Sequence, residues 1–309
     1  MKVSIIIPCY NEEEVISLAY QRIYKVMERI SYQYEIVLVN DGSKDNTYNI
    51  LKEISSKNDT VKVINLSRNF GHQPAVTAGI ELCSGDIAII MDADMQDPPE
   101  LIPDMIDVYL KEEANVVYAV RESRKGESFF KKVTAKLFYR FLNSVSEIKL
   151  PLDTGDFRLI DRSVIEEFKK LKEKKTYIRG LITWVGYKQV PFYYKRDQRL
   201  AGETKYPLSK MLKFASNGIM SFTKKPLEIA IGLGTLNIIV GIILSVYVFI
   251  SHFSNSITTV PGWASLMIVV IFFSGIQLLS LGFIGIYLGR VFDEVKDRPD
   301  YIISEKINF

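Results

Sequence analysis

Ile87-Ala88-Ile89-Ile90-Met91 runs directly into Asp92-Ala93-Asp94-Met95-Gln96-Asp97, and the reading of this junction decides the fold. The apolar run has the length of a strand, and an acidic cluster opens where it stops. Three similar runs precede it at Val3–Ile7, Glu35–Val39 and Val61–Asn65, and a further strand is expected at Val116–Val120. Helical stretches near 12–30, 45–57, 72–83 and 98–111 alternate with them. Strand-helix alternation of this kind predicts an α/β domain, a mostly parallel, Rossmann-like sheet covered by helices. Ligands of such sheets bind beyond the carboxyl ends of the strands. The polar residues just past each run are therefore the candidate site.

Strand alternation puts Asp92 and Asp94 on one side, with Gln96 continuing the row. Three oxygen-bearing side chains in a row suit a hard cation, Mg²⁺ or Mn²⁺, which takes a few carboxylates and completes its shell with substrate phosphates. Asp97-Pro98-Pro99-Glu100 also reads as a helix start, with Asp97 as its cap. Pro8, Tyr10, Asn11 and Glu12 follow the first strand. Asn40, Asp41, Gly42 and Ser43 follow the second, then Asp45 and Thr47. Helix capping accounts for Ser43 or Asp45. Asp41 falls at the strand end, where a base or ribose could be gripped. After the third strand, Ser67 to His72 form a polar turn, in which His72 reads as a hydrogen-bonded loop residue rather than a base.

The 309 residues leave room for one such domain and a membrane appendage. The net charge of +3 hides a division: residues 1–120 hold about 10 basic and 19 acidic side chains, residues 121–225 about 25 and 11, and the remainder about 4 and 6. The basic middle lies just before two uncharged apolar runs, 229–250 and 264–288, each long enough to span a bilayer. Anionic headgroups explain a basic segment in that place better than nucleic acid does. Lys224 and Lys225 precede the first run, and Arg290, Lys296 and Arg298 follow the second, while the connector Ser251–Trp263 has no Lys or Arg. The positive-inside rule then places both termini and the soluble domain in the cytoplasm, with the chain a multi-pass protein of the inner (plasma) membrane. Basic amphipathic patterns at about 128–145 and at 208–225 read as helices lying in the headgroup plane. The expected organisation is a catalytic domain over 1–207, a juxtamembrane helix over 208–225, a hairpin over 226–289 and a cytoplasmic tail over 290–309. No signal peptide is expected, because Pro8 ends the first apolar run. Cys9 and Cys83, the two cysteines, read as buried free thiols of a reducing compartment.

Six segments taken together carry a resemblance. They are Pro8-Cys9-Tyr10-Asn11-Glu12, Asn40-Asp41-Gly42-Ser43, Ser67-Arg68-Asn69-Phe70-Gly71, Asp92 to Asp97, Asp153-Thr154-Gly155-Asp156-Phe157-Arg158, and Arg199-Leu200-Ala201-Gly202-Glu203-Thr204-Lys205-Tyr206. In this order they resemble the family 2 glycosyltransferases of GT-A fold, and more narrowly the polyprenyl-phosphate branch that includes bactoprenol glucosyltransferases and dolichol-phosphate mannose synthases. Thr204 stands where the family has Ser, and keeps the hydroxyl.

The resemblance implies inverting transfer of a hexose from a nucleotide sugar to the phosphate of undecaprenol or another polyprenol, for envelope glycosylation. Glucose from UDP-glucose is the first reading; GlcNAc, galactose or mannose donors stay open, as does a non-lipid acceptor. It assigns the donor to Pro8, Tyr10, Asn11, Glu12, Asp41, Ser67, Asp92 and Ala93, and the metal to Asp94 and Gln96. Asp156 matches the position usually called the catalytic base, though an acceptor phosphate, with a second pKa of about 6, hardly needs one. Asp156 could equally orient Arg158 or the acceptor. Arg199 and Lys205 match a loop that closes over the donor diphosphate. Arg121, Lys131 and Lys132 are the cations placed to meet the acceptor phosphate. A homo-oligomer, a tetramer by resemblance, is also implied. A processive polysaccharide synthase is disfavoured, because no Gln-x-x-Arg-Trp sequence occurs. A nucleotide-sensing scaffold is disfavoured by the intact acidic and basic set.

Overall fold

The computed structural model describes residues 1–121, 154–171, 177–194, 225–253 and 262–309. The chain divides into two compact units, one joining the N-terminal residues to Pro299–Phe309 and the other spanning Ile219–Arg298.

The first unit is built on an eight-stranded sheet. Its strands are β1 (Lys2–Cys9), β2 (Gln33–Asn40), β3 (Val61–Leu66), β4 (Ile87–Ile90), β5 (Val116–Arg121), β6 (Thr154–Asp161), β7 (Gln189–Tyr194) and β8 (Ile303–Ile307). In space they run β7-β5-β6-β4-β1-β2-β3-β8. The pairs β4–β1, β1–β2 and β2–β3 are parallel, as the alternation predicts, and β5–β7 is parallel too. The helices that return the chain are α1 (Ile16–Met27), α2 (Thr47–Lys57), α3 (His72–Leu82) and α4 (Ile102–Lys111), the last entered by a short 3-10 turn at Pro99–Leu101. Ile5, Ile7, Ile36, Leu38, Ile87 and Ile89 lie fully buried in the core between strands and helices. α5 (Arg162–Lys170) and α6 (Ile178–Val185) follow β6.

Three strands, β6, β7 and β8, lie outside the sequence reading, and two of them run antiparallel to their neighbours in the sheet. Residues 154–158, read only as a motif, begin β6, which enters antiparallel between β4 and β5. Phe157 and Leu159 join the main core, and Ile160, on the opposite side by strand alternation, is buried as well. Burial on both faces is what an interior strand requires. The expected C-terminal tail also returns: β8 pairs antiparallel with β3 and closes the sheet edge. Ser304, Glu305 and Lys306 stay exposed on it, the polar composition that an edge strand tolerates.

A buried carboxylate at the amino ends of the strands is structural. Glu35 accepts from Ser4 Oγ at 2.7 Å and from the Ser84 amide at 2.6 Å, and pairs with Lys2 and Lys62. Burial alone would raise its pKa; these partners outweigh that and hold it well below the carboxylate range. The two cysteines are free and buried, as read, and burial pushes both thiols upward.

The second unit contains α7 (Lys225–Phe253) and α8 (Trp263–Val295). Among the described residues one stretch, Phe272–Val295, is long and apolar enough to cross a membrane by length and composition; in α7 the corresponding stretch is the shorter Ala230–Ile243. The pair of full spans expected at 229–250 and 264–288 is thus met by one such stretch. The amphipathic segments at 128–145 and 208–224 lie outside the described residues.

Candidate active site at the carboxyl ends of the strands

The loops after β1 and β2 are stitched together by their own polar side chains. Ser43 Oγ accepts from the Asn11 amide at 3.0 Å, and Asn11 Oδ1 accepts from the Lys44 amide at 2.9 Å. Thr47 Oγ1 accepts from the Glu12 amide at 2.9 Å. Ser43 is therefore a loop tie rather than a helix cap. Asp45 keeps the capping role in part, accepting from the Thr47 amide at 3.1 Å. Asn11, at φ 53°, takes the left-handed backbone that this turn requires.

Asp41 is buried at the end of β2. One carboxylate oxygen accepts from the Phe70 amide at 2.7 Å and the other from the Gly71 amide at 2.9 Å, so Asp41 holds the β3–α3 loop that carries Ser67. Burial raises its pKa, with those two amides opposing. Gly42 beside it has φ +60°, and a Cβ there would sit 2.3 Å from the Arg68 carbonyl carbon. Only glycine allows these two loops to approach so closely.

Past β4 the chain turns, and burial alternates along it. Asp92, Asp94 and Gln96 are half-buried, while Ala93, Met95 and Asp97 are buried. The Gln96 amide donates to Asp94 Oδ1 at 3.2 Å across a turn in which Met95 has φ 56°. Hard, half-buried oxygen donors are of the type that Mg²⁺ or Mn²⁺ takes. Asp97 is not a cap: it points inward and accepts a hydrogen bond from Tyr194 at the end of β7.

The antiparallel register of β6 brings a second carboxylate to this place. Ile90 pairs with Arg158, so the chain two residues beyond β4 meets the start of β6, and Asp92 lies near Asp156. His72, the first residue of α3, stands between them. Its Nε2 is 2.9 Å from Asp92 Oδ1, and its Nδ1 is 3.9 Å from Asp156 Oδ2. One atom from each of these three side chains falls within 4.8 Å of the others, close enough to share an ion. The cluster already holds its own cations. Arg179, in the first turn of α6, makes a two-pronged pair with Asp156: Nε to Oδ1 at 2.6 Å and an Nη to Oδ2 at 2.9 Å. Its other Nη donates to the Thr154 carbonyl at 2.9 Å. Gln73 fixes the approach of α6, its Oε1 accepting from the Ile178 amide at 3.0 Å.

The charges follow from these contacts. Desolvation opposes the ionised form of Asp156, but the Arg179 guanidinium, then His72 and Arg158, hold its carboxyl well below the usual range. Desolvation likewise opposes charge on His72, but Asp92 and Asp156 outweigh it and push the imidazole up to about 9. Arg158 is buried, donates to the Gly155 carbonyl at 3.0 Å, and is lowered to about 10 by that burial. The partner of Asp156 is thus Arg179, on a separate helix, rather than Arg158 two residues away.

A pH prediction follows. His72 is raised in the folded chain from an ordinary value near 6.5 to about 9, so its bound proton stabilises the fold fully below pH 6.5 and ceases to as pH rises through about 9. In EDTA, the wild type is expected to lose more thermal stability than His72→Asn as pH rises across that window. Parallel pH–Tm curves would remove this account.

Of the remaining candidates, Arg121 ends β5, opposite Tyr194 in the register. Lys131, Lys132, Arg199 and Lys205 lie outside the described residues. In the sequence His72 reads only as a loop residue, and nothing singles out Arg179 or Gln73. No local motif surrounds Arg179; only its arginine type and its place at a helix start could have drawn notice.

The architecture defines an α/β enzyme with acidic and basic groups gathered beyond its central strands. Residues 4–169 match the glycosyl transferase family 2 model. The chain belongs to that family: it is a glycosyltransferase with a GT-A-like fold. It is 52% identical over 303 residues, 98% of this chain and 93% of the relative, to the uncharacterized glycosyltransferase YkcC of Bacillus subtilis (strain 168). It is 37% identical to the prophage bactoprenol glucosyl transferase homolog of Escherichia coli (strain K12), over 98% of this chain and 99% of that one. To the bactoprenol glucosyl transferase of Shigella phage SfII it is 36% identical, over 99% and 98%.

Proposed function

We propose that this glycosyltransferase moves a hexose, with glucose from UDP-glucose as first choice, onto a polyprenyl phosphate at the cytoplasmic face of a membrane, with inversion at the anomeric carbon. The observation that carries the reading is similarity over nearly the whole length, long C-terminal helices included, to proteins named for transfer to bactoprenol. A soluble acceptor would give such helices no part in the reaction.

Three features of the second unit support a lipid setting. α7 and α8 contain 29 and 33 residues, about 43 and 50 Å at 1.5 Å per residue, against a hydrocarbon core of about 30 Å. Leu236, Ile239, Ile243, Leu278, Leu281 and Leu288 are 50–69% exposed, a covering that water does not favour. Connectivity supports a hairpin of two spans: the chain leaves the sheet at Tyr194 and rejoins it at Ile303. A segment that starts and ends in one sheet crosses a bilayer an even number of times.

The chemistry assigned to the site is electrostatic. The leaving nucleoside diphosphate gains charge as the glycosidic bond breaks, and fixed positive charge at that point lowers the barrier. A divalent ion held by Asp94 and Gln96, with Asp92 nearby, would act as Lewis acid and template when bound. Tyr10, Asn11, Glu12 and Ser67 border the donor, and Asp41 shapes the loop around it. Asp156, kept ionised by Arg179, is poorly matched to accept a proton near neutrality, where a base works best with a pKa close to the ambient pH. The acceptor phosphate is already ionised and needs no base. Asp156 and His72 therefore set the charge and position of the groups that meet the sugar.

The test is transfer of labelled sugar from a UDP-sugar panel and GDP-mannose into an organic-extractable product, with detergent-solubilised full chain, undecaprenyl phosphate and Mg²⁺ or Mn²⁺. Lipid-linked label from one donor is expected, abolished by EDTA and reduced about 10²–10³-fold by Asp94→Asn. Nucleotide binding without any lipid-linked product would turn the reading toward a non-lipid acceptor.

A further inference from the structure

The strand that returns after α8 joins the sheet at the end where the donor-side loops lie. β8 is antiparallel to β3, so its first residues sit beside the carboxyl end of β3. The register breaks there: Asn65 pairs with Glu305 but Leu66 with Ile303, which leaves Ser304 as the extra residue of a bulge. Bulges turn one side chain out of the ladder and are common beside active sites. Ser304 uses that freedom on Asn65. Its Oγ donates to the Asn65 carbonyl at 3.0 Å and accepts from Asn65 Nδ2 at 2.9 Å.

From Asn65 the hydrogen bonds continue across the sheet. Asn65 Oδ1 accepts from Asn40 Nδ2 at 2.7 Å, and Asn40 Oδ1 accepts from the Ser43 amide at 3.3 Å. Ser43 then holds the Asn11 amide. One row thus links the ends of β8, β3, β2 and β1, from the strand that follows the long helices to the turn containing Tyr10, Asn11 and Glu12. Beside it the Ser67 amide donates to the Ile302 carbonyl at 2.8 Å. The returning strand is fastened farther along as well, by Lys52 to Glu305 at 3.1 Å and by Asn308 Nδ2 to the Ser55 and Val61 carbonyls at 2.9 and 2.8 Å.

We propose that Ser304 is a positioning residue of the donor pocket: the segment after α8 holds the ends of β3 and β2 in register with the β1 turn, so nucleotide affinity depends on the strand that returns from the long helices. This rests on the reading of these strand ends as the donor site. A strand that only closed the sheet edge would contribute stability alone, and the anchor Asn308, which bonds the amino end of β3 away from the carboxyl ends, provides that comparison.

The experiment measures UDP and GDP affinity by titration calorimetry with Mn²⁺, and donor KM and kcat, in the full detergent-solubilised chain. Ser304→Val removes both hydrogen bonds to Asn65, and is expected to weaken nucleotide binding and raise donor KM about 5- to 10-fold with kcat little changed. Ser304→Thr is expected to restore most of the affinity. Asn308→Ala is expected to lower Tm and leave affinity as in the wild type. Equal nucleotide affinity in Ser304→Val and wild type overturns the inference while leaving the donor site intact. A wild type that binds neither nucleotide overturns the donor-site reading and the inference with it.

Discussion

Asp156→Asn is expected to reduce kcat by about 10²–10³-fold, the scale on which loss of one preorganised electrostatic group is felt. Both carboxylate oxygens receive the Arg179 fork, and His72 lies beside one of them. Asparagine keeps the shape but not the charge, and it turns an amide donor toward a guanidinium that can only donate. Arg179 and His72 would then stand as cations with one carboxylate fewer between them. Steady-state kinetics together with thermal unfolding provide the check. A folded Asp156→Asn enzyme within about threefold of wild-type kcat would remove Asp156 from the machinery, because the expected loss is far larger.

Arg179→Ala is the second large effect, and it addresses a residue outside every recognised motif. Breaking a buried ion pair by removing one partner costs about 3–5 kcal/mol, and this pair, only partly exposed, belongs toward the lower end. Activity is expected to fall about 10²-fold. A purely structural role would change Tm and amplitude alone, so the decisive readout is the pH profile. Without the guanidinium, burial is left to act on Asp156 and its pKa rises. The acid limb of kcat should therefore move to higher pH in Arg179→Ala. Arg179→Lys should restore part of the charge but not the two-pronged geometry. An unshifted acid limb in a folded Arg179→Ala protein would mean that Arg179 does not set the charge state of Asp156.

The strand ends were legible because their information is local. An apolar run that stops at a cluster of oxygen-bearing residues specifies a strand and its ligand end, and Asp92, Asp94 and Gln96 lie half-buried just past β4. The β1 and β2 loops were legible as a polar region, but not the division of labour within them. Ser43 could be read as a cap because capping residues and loop ties have the same composition. Asp41 reads as a ligand contact, and composition does not announce that its carboxylate also ties down the Phe70 and Gly71 amides.

By itself the sequence determined the alternation of strands and helices, the parallel core of the sheet, the acidic row after β4 and the apolar character of the C-terminal helices, since each depends on residues near one another in the chain. Tertiary structure alone decided that β6 runs antiparallel beside β4, that Asp156 meets Asp92 across His72, that Arg179 arrives from another helix, and that β8 returns to the edge of β3. The physical reason is register. A strand inserted one residue out of step would present its opposite face, and the pairing that excludes this is set by packing between segments far apart in the sequence.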